Sequence, residues 1–278
     1  MEAQEKIIDI EKTVRNSKSP FIRSLPGAVI KLIARVVRQD EINSVIYNNR
    51  EKDGISFING VLKDWNVKII VEGEENIPVS GSFIFAANHP VGGMDAMSLI
   101  HVVSNHFPGV IFPSNELFRY IPQLKSILLG INVFGANTRE TAEKLNSLFA
   151  SKSQVLYFPA GEVSRRNKGI ISDIPWQKSF ITKAVQYRRD IIPIHISGRN
   201  SGFFYNVARI RKILGIRLYI ETMLLPREMV RQINSTFTLT IGKPVAWQTL
   251  TTERSHYDWA QYIRKMVYSL GKNNFSTK

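Results

Sequence analysis

Asn88-His89-Pro90-Val91-Gly92-Gly93-Met94-Asp95 sets a histidine and a carboxylate on either side of a proline and two glycines. The apolar run Phe83-Ile84-Phe85-Ala86-Ala87 leads in, and a helix-compatible run, 96–107, leads out. The stretch reads as strand, tight turn and helix, with His89 and Asp95 both in the turn. A continuous helix would not pair them, because six residues at about 100° each put the two side chains on different faces. Pro90 resists such a helix, and Gly92 and Gly93 permit φ > 0, so a loop folded back on itself brings the pair within reach. A histidine oriented by a carboxylate can take a proton from a hydroxyl at neutral pH. Two structural readings compete here: Asp95 as the N-cap of the following helix, and His89 as an ordinary turn histidine.

A second stretch has the same design. Val155-Leu156-Tyr157-Phe158-Pro159-Ala160-Gly161-Glu162-Val163-Ser164-Arg165 is an apolar strand, then proline and glycine, then a carboxylate and a cation. Proline and glycine mark turns in any protein. Two such turns, each placing ionisable groups at the end of an apolar strand, point to one site, since open α/β sheets bind ligands at the carboxyl ends of their strands.

Together the two stretches resemble the glycerolphosphate and lysophospholipid acyltransferases, in the manner of the 1-acylglycerol-3-phosphate acyltransferases. Members carry N-H-x4-D, an Arg-bearing block, F-P-E-G-T-R-S and a V/I-P-x-x motif. Asn88, His89 and Asp95 match the first motif, Phe158, Pro159 and Gly161 the third, and Ile192-Pro193-Ile194 the fourth. The resemblance spans about residues 68 to 246. The departures are specific. Five residues separate His89 from Asp95 instead of four, Ala160 stands where the family has Glu, Glu162 where it has Thr, and the arginine is displaced to 165. N-H-P-x-G-G-x-D with F-P-A-G-E-V-S-R resembles a divergent branch associated with membrane lipids, including O-acylation of lyso forms of amino-acid lipids.

The resemblance implies O-acyl transfer from a thioester of acyl carrier protein or coenzyme A to the hydroxyl of a lysolipid acceptor, with no bound cofactor. It implies a bacterial enzyme of lipid biosynthesis, peripheral on the cytoplasmic face of the inner membrane. His89 becomes the general base, held by Asp95, and returns the proton to the departing thiol. Arg139, Gly161, Glu162, Ser164 and Arg165 become the acceptor-binding set, with Asn88 and Lys178 in supporting positions. Backbone amides near the two glycine turns are the expected oxyanion donors. Arg139 equally fits a surface residue in the first turn of a helix, where the helix dipole slightly disfavours a cation. Trp176 fits an acyl groove or plain core packing.

The chain has 278 residues, 44% hydrophobic, enough for a sizeable core, and no cysteine, which excludes disulfides, thiolate nucleophiles and Cys-ligated zinc. No G-x-S-x-G element supplies a covalent nucleophile, and no Walker A or dinucleotide-binding glycine pattern is present. His101, His106 and His256 lack ligand spacing with carboxylates, so no metal is expected, and His195 on an apolar strand reads as structural. The N-terminus shows no signal-peptide pattern, and no apolar run approaches the ~18 residues needed to cross a bilayer.

Thirty-seven Lys and Arg against 23 Asp and Glu give +14 and an expectation of an anionic partner. Modest clusters lie at 31–38, 165–168 and 209–217. Nucleic acid is not expected, because basic and aromatic residues are not interleaved in a stacking pattern. The rival reading is a non-catalytic anionic-lipid- or nucleic-acid-binding protein on the same fold; it leaves a His–Asp pair without a use.

Residues 1–65 read as helical, possible membrane contacts lying along 26–38, where Lys31, Arg35 and Arg38 interrupt an apolar helix; ordinary core packing fits as well. From Val67 on, strands and helices alternate: strands at 67–71, 82–87, 110–112, 154–158, 191–197, 217–223 and 237–241, helices at 138–149 (capped by Asn137, with Ala142, Leu145, Leu148 and Phe149 inward), 178–187 and 258–270. This pattern predicts an α/β acyltransferase domain over 66–278, built on a largely parallel central sheet flanked by helices, after an N-terminal helical segment.

Overall fold

In a computed structural model, which describes residues 7–115, 121–131, 138–216 and 219–273, the chain forms a seven-stranded sheet, a separate hairpin and helices on both sheet faces. Five helices come first: α1 (Ile10–Arg15), α2 (Pro20–Arg23), α3 (Gly27–Val36), α4 (Gln39–Asn48) and α5 (Gly54–Asp64). Then follow β1 (Lys68–Glu72), β2 (Ile84–Ala87), α6 (Gly93–Ser104), β3 (Val110–Asn115), β4 (Leu128–Ile131), α7 (Arg139–Ala150) and β5 (Gln154–Tyr157). The hairpin is β6 (Arg165–Asn167) and β7 (Ile170–Ser172), and the chain closes with α8 (Ser179–Tyr187), β8 (Ile191–Ile196), α9 (Gly202–Ile213), α10 (Leu225–Val230), β9 (Thr236–Ile241) and α11 (His256–Asn273).

The sheet order is β1-β9-β8-β2-β5-β3-β4, with every neighbour parallel except β8 and β9. The expected largely parallel sheet is therefore present. Its central strand shows how alternation sorts the layers. Phe85 and Ala87 of β2 join Leu156, Ile192 and Ile194 under α4, α5 and α6. Ile84 and Ala86 face the other way, with Val155, onto Phe180 of α8 and Ile263 and Val267 of α11. Side chains alternate across a strand, so a strand covered on both faces needs apolar residues at every position. A third cluster joins Phe204 and Tyr205 of α9 to Val163 and Leu224, with Val36 of α3, Ile171 and Leu225 packed against it.

Several elements differ from the sequence reading. Strand β4 was hidden in a short apolar run interrupted by Gly130, and the β6–β7 hairpin in a run of cations. Its two-residue turn, Lys168-Gly169, has φ of 47° and 83°, the left-handed pair that hairpins need. The strand expected at 217–223 is absent where it is described: Ile220–Leu224 is a 3₁₀ turn. Glu221 is fully buried there while Met223 is exposed, so the period-2 pattern is not a strand's. Helix α7 is capped by Thr138, whose hydroxyl accepts from the Thr141 N–H at 3.2 Å; Asn137 lies outside the described residues. In α7, Leu148 and Phe149 are buried as expected and Ala142 is exposed. Trp176 is core, with no exposed surface.

Arg189 holds the C-terminal end of α7 to the sheet. Its guanidinium is buried and donates to the carbonyls of Phe149 at 2.8 Å, Ser153 at 2.7 Å and Ser151. Helix ends leave carbonyls unsatisfied, and a cation there also complements the dipole. Replacing Arg189 with Met should leave these acceptors buried and lower unfolding free energy by about 3 kcal/mol, read by urea denaturation.

Candidate active site

The end of β2 and the end of β5 are adjacent in the sheet and parallel, so the two glycine turns leave it side by side. Asn88 closes the first strand as a backbone mimic: its amide donates to the Ile196 carbonyl at 2.9 Å and accepts from the Ile196 N–H at 2.7 Å. That fixes where His89 leaves the sheet and keeps Asn88 itself turned into the interior.

His89 Nδ1 lies 2.9 Å from Asp95 Oδ2, so the two residues paired by the sequence reading are in contact. Asp95 is not a loop residue, however. It is the third residue of α6, and Gly92 occupies the N-cap. Asp95 Oδ2 also accepts the N–H groups of Val91 and Gly92, each at 2.8 Å. One carboxylate oxygen thus closes the first turn from the third helical position and holds the imidazole; the N-cap expected at Asp95 is Gly92 instead. Gly92 makes this possible with φ of 124°, which L side chains rarely adopt. A side chain at Gly93 would collide with Met229 Sδ, 2.7 Å from its Cβ position, so α10 seats directly on the turn.

Asp95 is completely buried, and burial pushes its carboxyl above the usual range; the bond and charge of His89 and the two amides pull against that. Its Oδ1 has no hydrogen-bond partner. The imidazole stacks on Phe158 at 4.1 Å and 14°, which clamps its plane with a residue of the second motif. With Nδ1–H directed to the carboxylate, Nε2 is the nitrogen free to accept a proton.

A residue not singled out in the sequence joins the two motifs. Asp173 accepts the His89 N–H at 3.2 Å, the Ser164 hydroxyl at 2.6 Å and the Trp176 indole N–H at 2.9 Å. Its own backbone N–H donates to the Tyr268 hydroxyl at 2.7 Å, and Ser164 N–H donates to the His89 carbonyl at 2.7 Å. Ser164 is accordingly buried and directed at Asp173. The sequence signal was available: Asp173 is the sole acidic residue between Glu162 and Asp190.

Arg165 and Glu162 are together, at 3.2 Å, on the outer side of this network. Arg165 also lies 3.4 Å from Glu221, which in turn meets Arg211 of α9 at 2.8 Å. The Arg165 guanidinium sits 5.5 Å from the Phe204 ring and remains slightly exposed. Two arginines and two glutamates therefore form a nearly charge-balanced cluster, of which the sequence reading contained half. Glu221, the first acidic residue after Asp190, was lost inside the strand expected at 217–223.

The remaining candidates lie apart. Arg139 is the first residue of α7, 94% exposed, and pairs with Glu143 at 2.9 Å. It follows the outermost strand β4, three strands from β2, or about 14 Å at ordinary strand spacing. Lys178 is exposed at the N-cap of α8. Gly161, with φ of 69°, shapes the second turn, and its N–H donates to the Phe158 carbonyl at 3.0 Å. The amides of Val91, Gly92 and Gly161 are thus already engaged within the turns. Among the described residues no group of His, Cys, Asp or Glu is arranged to hold a metal ion.

A histidine held by a buried carboxylate at the end of a parallel strand, with a second polar turn beside it, is an arrangement suited to activating a hydroxyl for acyl transfer. The chain belongs to the acyltransferase family, which it matches over residues 13–277. It is 37% identical over 265 residues to a lyso-glycine lipid O-acyltransferase of Phocaeicola vulgatus, covering 95% of each chain. It is 36% identical to a protein of the same description from Bacteroides thetaiotaomicron, covering 95% of this chain and 97% of that one. Among solved structures it is similar to the 1-acyl-sn-glycerophosphate (LPA) acyltransferase of Thermotoga maritima, at 20% identity and a TM-score of 0.45 over 88% of this chain and 92% of the other. This chain is an acyltransferase.

Asp173→Ala should strand three donors, lowering stability by about 3 kcal/mol, and should reduce kcat by releasing the His89 loop. Urea unfolding and steady-state transfer rates on the same preparation check both effects.

Proposed function

We propose that the protein moves a fatty acyl group from an acyl thioester to the hydroxyl of a lyso amino-acid lipid. The observation that carries the chemistry is the 2.9 Å contact of His89 with buried Asp95. His89 Nε2 takes the acceptor's hydroxyl proton, the oxygen attacks the thioester carbonyl, and the tetrahedral intermediate expels the thiolate, which recovers the proton from His89. Asp95 keeps the imidazole in the required tautomer and stabilises the imidazolium between the two transfers. The thioester, of acyl carrier protein or coenzyme A, is a substrate, and no step calls on a bound cofactor.

Two findings support an amino-acid lipid over lysophosphatidic acid. The relatives that align over nearly the whole chain carry the name lyso-glycine lipid O-acyltransferase. The arginines of the cluster beside the second turn, Arg165 and Arg211, already face Glu162 and Glu221, so that cluster leaves little net positive charge for a phosphate dianion. A single carboxylate asks less of such a cluster. Arg165 and Glu162 position that head, with Gly161 shaping the turn between motif and substrate. Ser164 and Asn88 act from inside by fixing the two loops, and Arg139 and Lys178 are assigned to the outer rim.

The N-terminal 1–65 segment is the proposed membrane contact, placing the enzyme peripherally on the cytoplasmic face. Phe21 is 77% and Leu32 58% exposed beside Lys31 and Arg35. Among the described residues, no helix is long and apolar enough to cross a membrane.

His89→Ala should cut turnover by ~10²–10⁴-fold with folding intact. Asp95→Asn should lose a comparable factor, because an amide can still cap α6 but cannot stabilise an imidazolium. Purified variants assayed with radiolabelled thioester and a lyso-glycine lipid decide this; an undiminished rate in His89→Ala would refute the mechanism. Arg165→Ala should raise the acceptor's KM, by a factor corresponding to ~1.5–3 kcal/mol, and leave the donor's KM unchanged. Varying each substrate in turn separates the two, and a change confined to the donor would move Arg165 to the thioester side.

A further inference from the structure

Helix α9 presents a second, exposed apolar face. Phe204 and Tyr205 of this helix are buried in the cluster around Val163, with Val207 packed against it. The opposite side carries Phe203, Ile210, Ile213 and Leu214, and the chain beyond adds Ile216 and Met223. Ile210, Ile213 and Leu214 are 56%, 71% and 66% exposed, although large aliphatic side chains are usually buried. Phe203, Ile210 and Leu214 are seven and four residues apart, spacings that return to the same side of a helix. Surface hydrophobes scattered singly need no explanation, but a clustered set marks an interaction site.

Charge identifies the partner. From Ile191 to Ile220 the chain has no acidic residue, and apart from Arg211, which faces Glu221, its cations include the exposed Arg199, Arg209 and Lys212. Arg209 and Lys212 are exposed on α9 itself, flanking the apolar face. Protruding aliphatics bordered by cations match an anionic lipid surface, where hydrocarbon takes the apolar side chains and headgroups take the charge.

Position gives the face a use. Arg211 of α9 meets Glu221, which also meets Arg165, and the Arg165 guanidinium lies over Phe204 of the same helix. Arg166 binds Asn206 of α9 at 2.5 Å, tying the hairpin to it. The helix that carries the exposed aliphatics is therefore also a wall of the cluster assigned to the acceptor's head. We propose that the exposed face of α9, with Leu214 and Ile216 at its end, docks into an anionic bilayer beside the site, so that the lysolipid acceptor passes laterally from the membrane to His89 with its chain still in lipid. This rests on the acceptor reading above and adds a surface separate from the N-terminal helices.

The test uses the full chain with vesicles of phosphatidylglycerol and phosphatidylcholine. Ile213→Glu combined with Leu214→Glu should lower the vesicle-bound fraction on the order of ten-fold. Transfer to acceptor embedded in vesicles should fall with it, while transfer to a short-chain acceptor dissolved as monomer stays unchanged. Arg209→Gln with Lys212→Gln should weaken binding at low salt and converge with the parent at high salt; this variant carries the test if the glutamates disturb folding. Parent-like vesicle binding in both variants overturns the proposal. So does an altered oligomeric state with unchanged lipid binding, which would assign the face to a second copy, or a raised KM for acyl carrier protein alone, which would assign it to an acidic carrier. Failure of the parent protein to acylate any lysolipid would remove the proposed reaction and leave the vesicle result to stand or fall separately.

Discussion

One carboxylate oxygen, Asp95 Oδ2, gathers the imidazole of His89 and the N–H groups of Val91 and Gly92. Each partner is needed for a different purpose. The amides fold Pro90–Gly93 back upon the start of α6, and the imidazole becomes oriented as a consequence of that fold. Burying a carboxylate is costly unless it is hydrogen-bonded, and here the donors that offset the cost also build the site. The extra residue between His89 and Asp95, relative to the resembled family's spacing, is accommodated at the glycines, where Gly92 adopts φ of 124° and Gly93 admits Met229 against the backbone.

A second buried carboxylate does for the pair of motifs what Asp95 does within the first. Asp173 holds the backbone of His89, the hydroxyl of Ser164 and the indole of Trp176, so the loops after β2 and β5 are set by one acceptor. Phe158 completes the join by stacking on the imidazole. His89 is thereby positioned by rigid elements on both sides: strand β2 and helix α6 below, the second turn above. Such preorganisation is what a proton transfer at fixed distance requires.

The Arg–Glu cluster and the exposed apolar face meet at α9. Its buried side closes the cluster around Val163, one of its arginines shares Glu221 with Arg165, and its outer side is aliphatic and basic. Distributing two arginines over two glutamates leaves little excess positive charge near the proposed head-binding position. With a net charge of +14, the protein is drawn to anionic surfaces before any specific contact forms.

The sequence by itself determined the alternation of strands and helices, hence the largely parallel sheet, and it determined the His89–Asp95 pair, because Pro90, Gly92 and Gly93 leave a turned-back loop as the economical way to join that strand to that helix. Local signals suffice where the period is regular and the turn residues are diagnostic. They fail where structure depends on distant partners. Strand β4 has four residues with a glycine among them, too few to show a period, and exists because β3 offers a parallel edge. The segment at 217–223 read as a strand, but Glu221 is drawn inward by Arg165 and Arg211, residues 56 and 10 positions away in the chain. Asp173, Asn88 and Ser164 carry side chains that any loop could carry, and only the tertiary structure turned them inward to fix the loops. Arg139 was separated from the site for the same reason: sequence order says nothing of how many strands lie between two ends, and the sheet put three steps between β2 and β4.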